Sequence, residues 1–101
     1  MEWSGELKKK DKEYLDRVAE LGCIVCRNER LGKSPALIHH IRTGYGVSQR
    51  APHSEAIPLC PIHHQYPAVG ELAYHASPKQ FEDRYGTELE LLEQVRGLLL
   101  K

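Results

Sequence analysis

The sequence predicts a small α+β domain, on three observations. Helical periodicity marks both flanks of the chain, over residues 11–21 and from Ser77 onward. Between them lie two short apolar segments that read as strands, Ala36-Leu37-Ile38 and Ile57-Pro58-Leu59. Two Cys/His pairs, Cys23-x-x-Cys26 and Cys60-x-x-His63, flank that central part. At 101 residues the chain is one domain on the usual scale of about 100–200 residues. A chain this short buries only about two-thirds of its unfolded surface, so a staple beyond the apolar core is expected.

Each element follows in order. Residues 1–10, with the basic cluster Lys8, Lys9, Lys10 and then Lys12, read as a loosely ordered lead-in. From Asp11, Tyr14, Leu15, Val18 and Leu21 recur at helical steps, and Gly22 stands where a helix ends. Cys23-Ile-Val-Cys26 follows, then a polar loop of Arg, Asn and Gly. The first strand leads into His39-His40-Ile41. Residues 42–56, with Gly44, Gly46 and Pro52, form a long loop of the kind that carries function or moves. Pro58 confines the second strand to a sheet edge. A helix starts near Cys60-Pro61. Ser77-Pro78-Lys79-Gln80 has the form of a capping box, and Gly86 stops its helix. Thr87-Glu88-Leu89-Glu90 is a second box, opening a helix whose Leu89, Leu92, Val95, Leu98 and Leu99 make one core-facing stripe. The expected organisation is a single domain over 1–101: the lead-in, a central core over 22–75, and a helical part over 77–101.

Composition excludes several classes. Hydrophobic residues at 41% and charged residues at 28% are ordinary for a soluble globular domain. No apolar run approaches the ~18 residues of a membrane span, and the first residues are too polar for a signal peptide. Three cysteines cannot all pair, which argues against a disulfide scaffold and for a reducing compartment. Fourteen Lys+Arg balance 14 Asp+Glu, so bulk charge alone does not hold the chain to nucleic acid. Six histidines, with two His-His doublets, stand out.

Two residues between ligands let a tight turn aim both side chains at one ion. Two such turns supply Cys23, Cys26, Cys60 and His63 as the Cys3His set of a closed structural zinc site. The alternatives are a redox Cys-x-x-Cys pair, which wants a strand before it and a helix after it, or plain buried thiols. Zinc binding in small peptides is worth about 10–16 kcal/mol, which would supply the missing staple. His39, His40, His53, His64 and His75 remain. A zinc site here clamps the strand pair to the following helix and holds His39 or His40 across from His64.

Four stretches now resemble a known family. They are His39-His40-Ile41-Arg42 with Gly44 and Gly46; Arg50-Ala51-Pro52-His53; Ile57-Pro58-Leu59-Cys60-Pro61-Ile62-His63-His64; and His75-Ala76 with Phe81-Glu82 and Tyr85-Gly86. Together with Cys-x-x-Cys they resemble the HNH (His-Me finger, ββα-metal) endonucleases, and within them the phage recombination-enhancement (Ref-like) nucleases and their prophage relatives. The resemblance runs from about Gly22 to Leu92. It implies a ββα-metal (HNH) domain with a structural zinc knuckle and flanking C-terminal helices. The implied activity is metal-dependent hydrolysis of DNA phosphodiester bonds, leaving 5′-phosphate and 3′-hydroxyl ends. By the same resemblance His39 binds the catalytic metal, His40 is the general base, and His64 is the second ligand. His53 stands near the family's central Asn, which positions the base or shapes the loop. His75 is either a third metal ligand or a structural or surface residue. The implied cofactors are a structural Zn2+ and a catalytic divalent ion (Mg2+, Mn2+, Ni2+ or Zn2+), because nitrogen ligands suit the later transition metals. The implied partners are DNA and a RecA-type recombinase filament, with no membrane, in the cytoplasm of a bacterium that hosts a phage or prophage.

The neutral total hides a split. Residues 22–54 hold Arg27, Arg30, Lys33, Arg42 and Arg50 against Glu29 alone, a balance of plus four. Residues 82–93 hold Glu82, Asp83, Glu88, Glu90 and Glu93 against Arg84, a balance of minus four that reads as a solvated face. Arg42, Arg50, Arg27 and Lys33 are the expected DNA contacts, giving weak, salt-sensitive, low-specificity binding. Lys8, Lys9, Lys10 and Lys12 are either a short basic arm or a solvated helix start. Two other functions fit part of this pattern: a zinc-stabilised module that docks nucleic acid without cutting it, and a structural domain in which His39, His64 and His75 hold a second zinc.

Overall fold

Helix α1 spans Lys9–Glu20 in the computed structural model, which describes residues 9–45 and 51–100. It starts before Asp11, so Lys9 and Lys10 belong to an exposed first turn rather than to the lead-in, whose other residues lie outside the described ones. Val18 is fully buried and Tyr14 and Leu21 pack half-buried against the same core. Gly22 ends the helix with φ +78, and a Cβ there would sit 2.8 Å from Lys33 Cγ and 3.1 Å from the Ser34 carbonyl oxygen. Only glycine accepts both the left-handed backbone and that close approach.

The polar loop expected after Cys26 begins later. Ile24–Asn28 forms a short helix, α2, because the Cys23 sulfur accepts the Cys26 amide at 3.4 Å and caps the turn. Strands β1 (Leu37–His40) and β2 (Ala56–Leu59) then pair antiparallel, with Leu37 opposite Leu59, Ile38 opposite Pro58, His39 opposite Ile57 and His40 opposite Ala56. The first strand therefore runs through both histidines rather than ending before them. Pro58 costs the two-stranded sheet no ladder bond on its open edge. All four β2 residues are buried, and α1 and the last helix lie against that strand. Helix α3 (Pro61–His64) begins with Pro61 in its first turn, as expected. The chain then loops out and returns: Tyr74 N donates to His63 O at 2.9 Å and His75 N to His64 O at 3.0 Å. Those two bonds bring residue 75 back to α3.

Helix α4 (Pro78–Tyr85) has Pro78 in its first turn and stops at Gly86, φ +112. The Ser77 side chain makes no capping bond, so the first expected box does not form; Phe81 N bonds the Ser77 carbonyl instead, at 2.8 Å. The second box does form, with Thr87 and Glu90 capping each other at the start of α5 (Glu88–Leu99). Its buried stripe is rotated from the expected one. Glu88, Leu91, Leu92 and Val95 are buried while Leu89 is 52% exposed. Positions 88, 91, 92 and 95 keep helical steps of three and four, and position 89 falls off that line. Glu88 thus leaves the solvated acidic face to which sequence reading assigned it.

Candidate metal centres

The first centre joins the two turns that the Cys/His pairs make. Cys23 and Cys26 come from the α1–α2 junction and Cys60 and His63 from the β2–α3 junction, all four buried with their donor atoms within 4.8 Å of one another. Tetrahedral zinc with Zn–S near 2.3 Å and Zn–N near 2.0–2.1 Å requires S···S edges of about 3.8 Å and S···N edges of about 3.6 Å. The Cys26 and Cys60 sulfurs stand 3.8 Å apart, and His63 Nδ1 is 3.6 Å from Cys23 Sγ, 3.6 Å from Cys26 Sγ and 3.2 Å from Cys60 Sγ. The group can bind a structural metal such as zinc. A redox pair would need neither Cys60 nor His63 at this point. Burial pushes the Cys23 thiol up to about 12, so a thiolate here needs a cation to compensate it.

Sequence reading missed what holds His63. Its Nε2 donates to Glu71 Oε1 at 2.8 Å, and Glu71 also accepts the Tyr85 hydroxyl at 2.8 Å. The hydrogen bond from His63, then that from Tyr85, lowers the Glu71 carboxyl below its ordinary range. This arrangement commits Nε2 to the hydrogen and leaves Nδ1 for the metal. Glu71 sits in an otherwise featureless loop, and only the return of the chain to α3 reveals it. Glu71→Gln is expected to lower zinc affinity about 10–100-fold without unfolding the zinc-loaded protein; competition against a zinc chelator measures it, and unchanged affinity would refute the role.

The second centre is open. His39, His64 and His75 place one ring nitrogen each within 4.8 Å of the others. Their ring centroids lie 5.2 Å (39–64), 5.0 Å (39–75) and 4.6 Å (64–75) apart. His39 is 2% exposed, His64 is half-buried and His75 exposed, so the group faces solvent on one side. His64 Nδ1 is buried with no hydrogen-bond partner among the described residues. Such an orphan nitrogen is costly unless something else fills its lone pair or takes its hydrogen. Burial, then the neighbouring charges of His39 and His75, press the His64 pKa down to about 4, and burial with His39 and Arg42 lowers that of His75. Both rings are thereby kept in the neutral form that ligates metals. The three nitrogens, one of them orphaned, suit a divalent ion.

Behind this centre lies Glu88, also missed. Its Oε2 is 2.6 Å from His39 Nε2, and its Oε1 accepts the Arg42 amide, the Thr43 amide and the Thr43 hydroxyl at 2.8, 2.8 and 2.7 Å. Burial alone would raise its carboxyl, but the bonds from His39, Thr43 and Arg42 outweigh that and hold it at about 2. Tyr74 stacks at a tilt on the His39 ring, centroids 4.8 Å apart.

His40 has other neighbours than His39. Strand alternation separates the two rings, and His40 Nε2 meets His53 Nδ1 at 3.0 Å. His39 is therefore the member of the first doublet that faces His64. Of the basic residues, Arg42 is exposed just past β1, after the buried Ile41, and acts electrostatically on His75. Arg27 donates to the Leu21 carbonyl at the end of α1 (3.4 Å), and the Lys33 stem lies against Gly22. Arg50 lies outside the described residues.

Fold and centres together define a small α+β domain with one closed Cys3His group and one open three-histidine group, both drawing on a strand–strand–helix unit. A family model described as recombination enhancement, RecA-dependent nuclease matches residues 8–100, and the chain belongs to that family. The resemblance to the recombination-enhancement nucleases, read in the histidine and cysteine stretches, thus holds. No curated protein matches the chain. The family description carries nuclease activity and a relation to DNA and RecA. Among the described residues no helix is long and apolar enough to cross a membrane.

Proposed function

We propose that this domain is a ββα-metal (HNH) DNA endonuclease, with β1, β2 and α3 as its catalytic unit and RecA-coated DNA as its substrate. The observation that carries the proposal is the convergence of His39, His64 and His75 on one point, including the unpartnered Nδ1 of His64. The partial exposure of that group favours a catalytic over a structural metal, since structural sites are closed and catalytic ones keep a position open.

In this reading His39, His64 and His75 hold a divalent ion (Mg2+, Mn2+, Ni2+ or Zn2+). When bound, the ion supplies positive charge against the charge that develops on the phosphoryl and leaving oxygens. His40 takes the proton of the attacking water. An imidazole of ordinary pKa near 6.5 is mostly neutral at pH 7 and accepts a proton readily. His53 orients His40, because the 3.0 Å contact between His40 Nε2 and His53 Nδ1 holds the His40 ring in place. Arg42, tied through its amide to Glu88, offers its guanidinium to a phosphate beside the centre. Cys23, Cys26, Cys60 and His63 hold a structural zinc that fixes β2 and α3, and with them His64. A neutral domain binds DNA weakly, and a RecA-type filament supplies the missing affinity. The place of action is the bacterial cytoplasm in which such filaments form, with phage or prophage as the source.

The test is cleavage of plasmid and single-stranded DNA, bare or coated with RecA, with Mg2+, Mn2+, Ni2+ and Zn2+ in turn. Metal-dependent cutting that rises on the coated DNA is expected. A folded protein with its knuckle zinc that cuts under none of these conditions would reduce the domain to a binding module.

A further inference from the structure

The acid behind the three-histidine centre comes from outside the strand–strand–helix unit. Glu88 opens α5, which Leu91, Leu92 and Val95 bury in the core and the Thr87–Glu90 box caps. It is 0% exposed, and four donors converge on its two oxygens. We propose that Glu88 is the positioning residue of this centre, fixing His39 with its hydrogen on Nε2 and its lone pair on Nδ1, turned to the metal; this rests on the metal centre assigned above.

The argument is one of donors and acceptors. An ionised carboxylate only accepts. His39 Nε2, at 2.6 Å from Oε2, must therefore carry the hydrogen. Nε2 is then spent, and Nδ1 is the nitrogen left for an ion. A histidine ligand oriented by a carboxylate on its far nitrogen is both held in rotation and made more basic. Oε1 meanwhile ties down the amides of Arg42 and Thr43, so the carboxylate cannot swing away from His39 without breaking three other bonds. The α5 N-terminus favours the negative charge. One side chain from α5 thus sets both the tautomer of His39 and the course of the chain into Arg42.

Glu88→Gln tests this because it keeps the shape and changes the bonding. A glutamine has one oxygen for two faces. Three donors claim that oxygen, which turns the NH2 toward His39 Nε2. His39 must then accept there and carry its hydrogen on Nδ1, where the ion belongs. The expected result is a folded variant that keeps its knuckle zinc, binds Mn2+ or Zn2+ at the second centre about 10–100-fold more weakly, and loses kcat with KM for DNA unchanged. Nitrogen-15 NMR of the zinc-loaded wild type is expected to place the His39 hydrogen on Nε2. A hydrogen on Nδ1 overturns the proposal whether or not the variant folds, as does a folded variant with wild-type second-site affinity. His64→Ala separates the two readings. If wild type and His64→Ala bind the same single ion, the metal centre itself is wrong and Glu88 falls with it; if only His64→Ala loses the second ion, Glu88 alone is refuted.

Discussion

Cys60→Ser is expected to lose about one zinc per chain and to unfold, the largest stability effect in the molecule. The four candidate ligands come from two junctions, α1–α2 and β2–α3, whose Cys26 and Cys60 are 34 residues apart, so an ion held by them would bond the two together. A serine hydroxyl stays protonated near neutral pH and is a poor replacement for a thiolate. Zinc binding worth about 10–16 kcal/mol in small peptides exceeds or equals the whole stability of a typical domain, about 5–15 kcal/mol. Cys60 is also the residue from which α3 starts, so its loss frees His63 and His64 together. Zinc per chain, measured with circular dichroism before and after a strong chelator, checks this. The wild type should lose its helix signal when stripped, and the variant should lack it from the start. A folded variant with wild-type metal content would show that the knuckle is not a zinc site.

What the sequence made legible follows the range of the physics involved. Two-residue ligand spacing, a Pro in the first turn, a Gly at φ +78 or +112 and the Thr87–Glu90 box are local devices, and the structure has them where the letters put them. The two strands were visible for the same reason. The misreadings are long-range. Ser77 had the right spacing for a box, but its side chain makes no capping bond. Glu88 looked like one more charge on an acidic helix, because nothing within four residues says that His39, 49 positions earlier, will sit 2.6 Å from it. Leu89 looked like core because it is a leucine, and the stripe that includes 88 leaves it outside. Glu71 and Tyr85 became visible only once the chain after α3 turned back on itself. The candidate ligands were therefore readable from their chemistry and the residues that orient them were not. Ligand type is a local property, whereas orientation depends on which elements meet.

His40→Ala is expected to cut DNA about 10²–10⁴-fold more slowly, the loss of one positioned general base. At 1.36 kcal/mol per decade this is about 3–5 kcal/mol of transition-state stabilisation. The loss should fall on kcat and leave metal content alone, because His40 belongs to neither ligand group. Folding should also survive. The ring is half-buried, and the ladder pairing of residue 40 with Ala56 is made by backbone. That combination separates the nuclease from its rivals. A module that only docks DNA has no use for His40, and a structural domain with two bound metals would be equally indifferent to it. His53→Ala should fall between wild type and His40→Ala, since it removes the ring that orients the base and leaves the base itself. The measurement is single-turnover cleavage of RecA-coated DNA, with metal content and DNA affinity determined on the same samples. Equal rates for wild type and His40→Ala would remove His40 from the reaction and leave the open histidine group without its base.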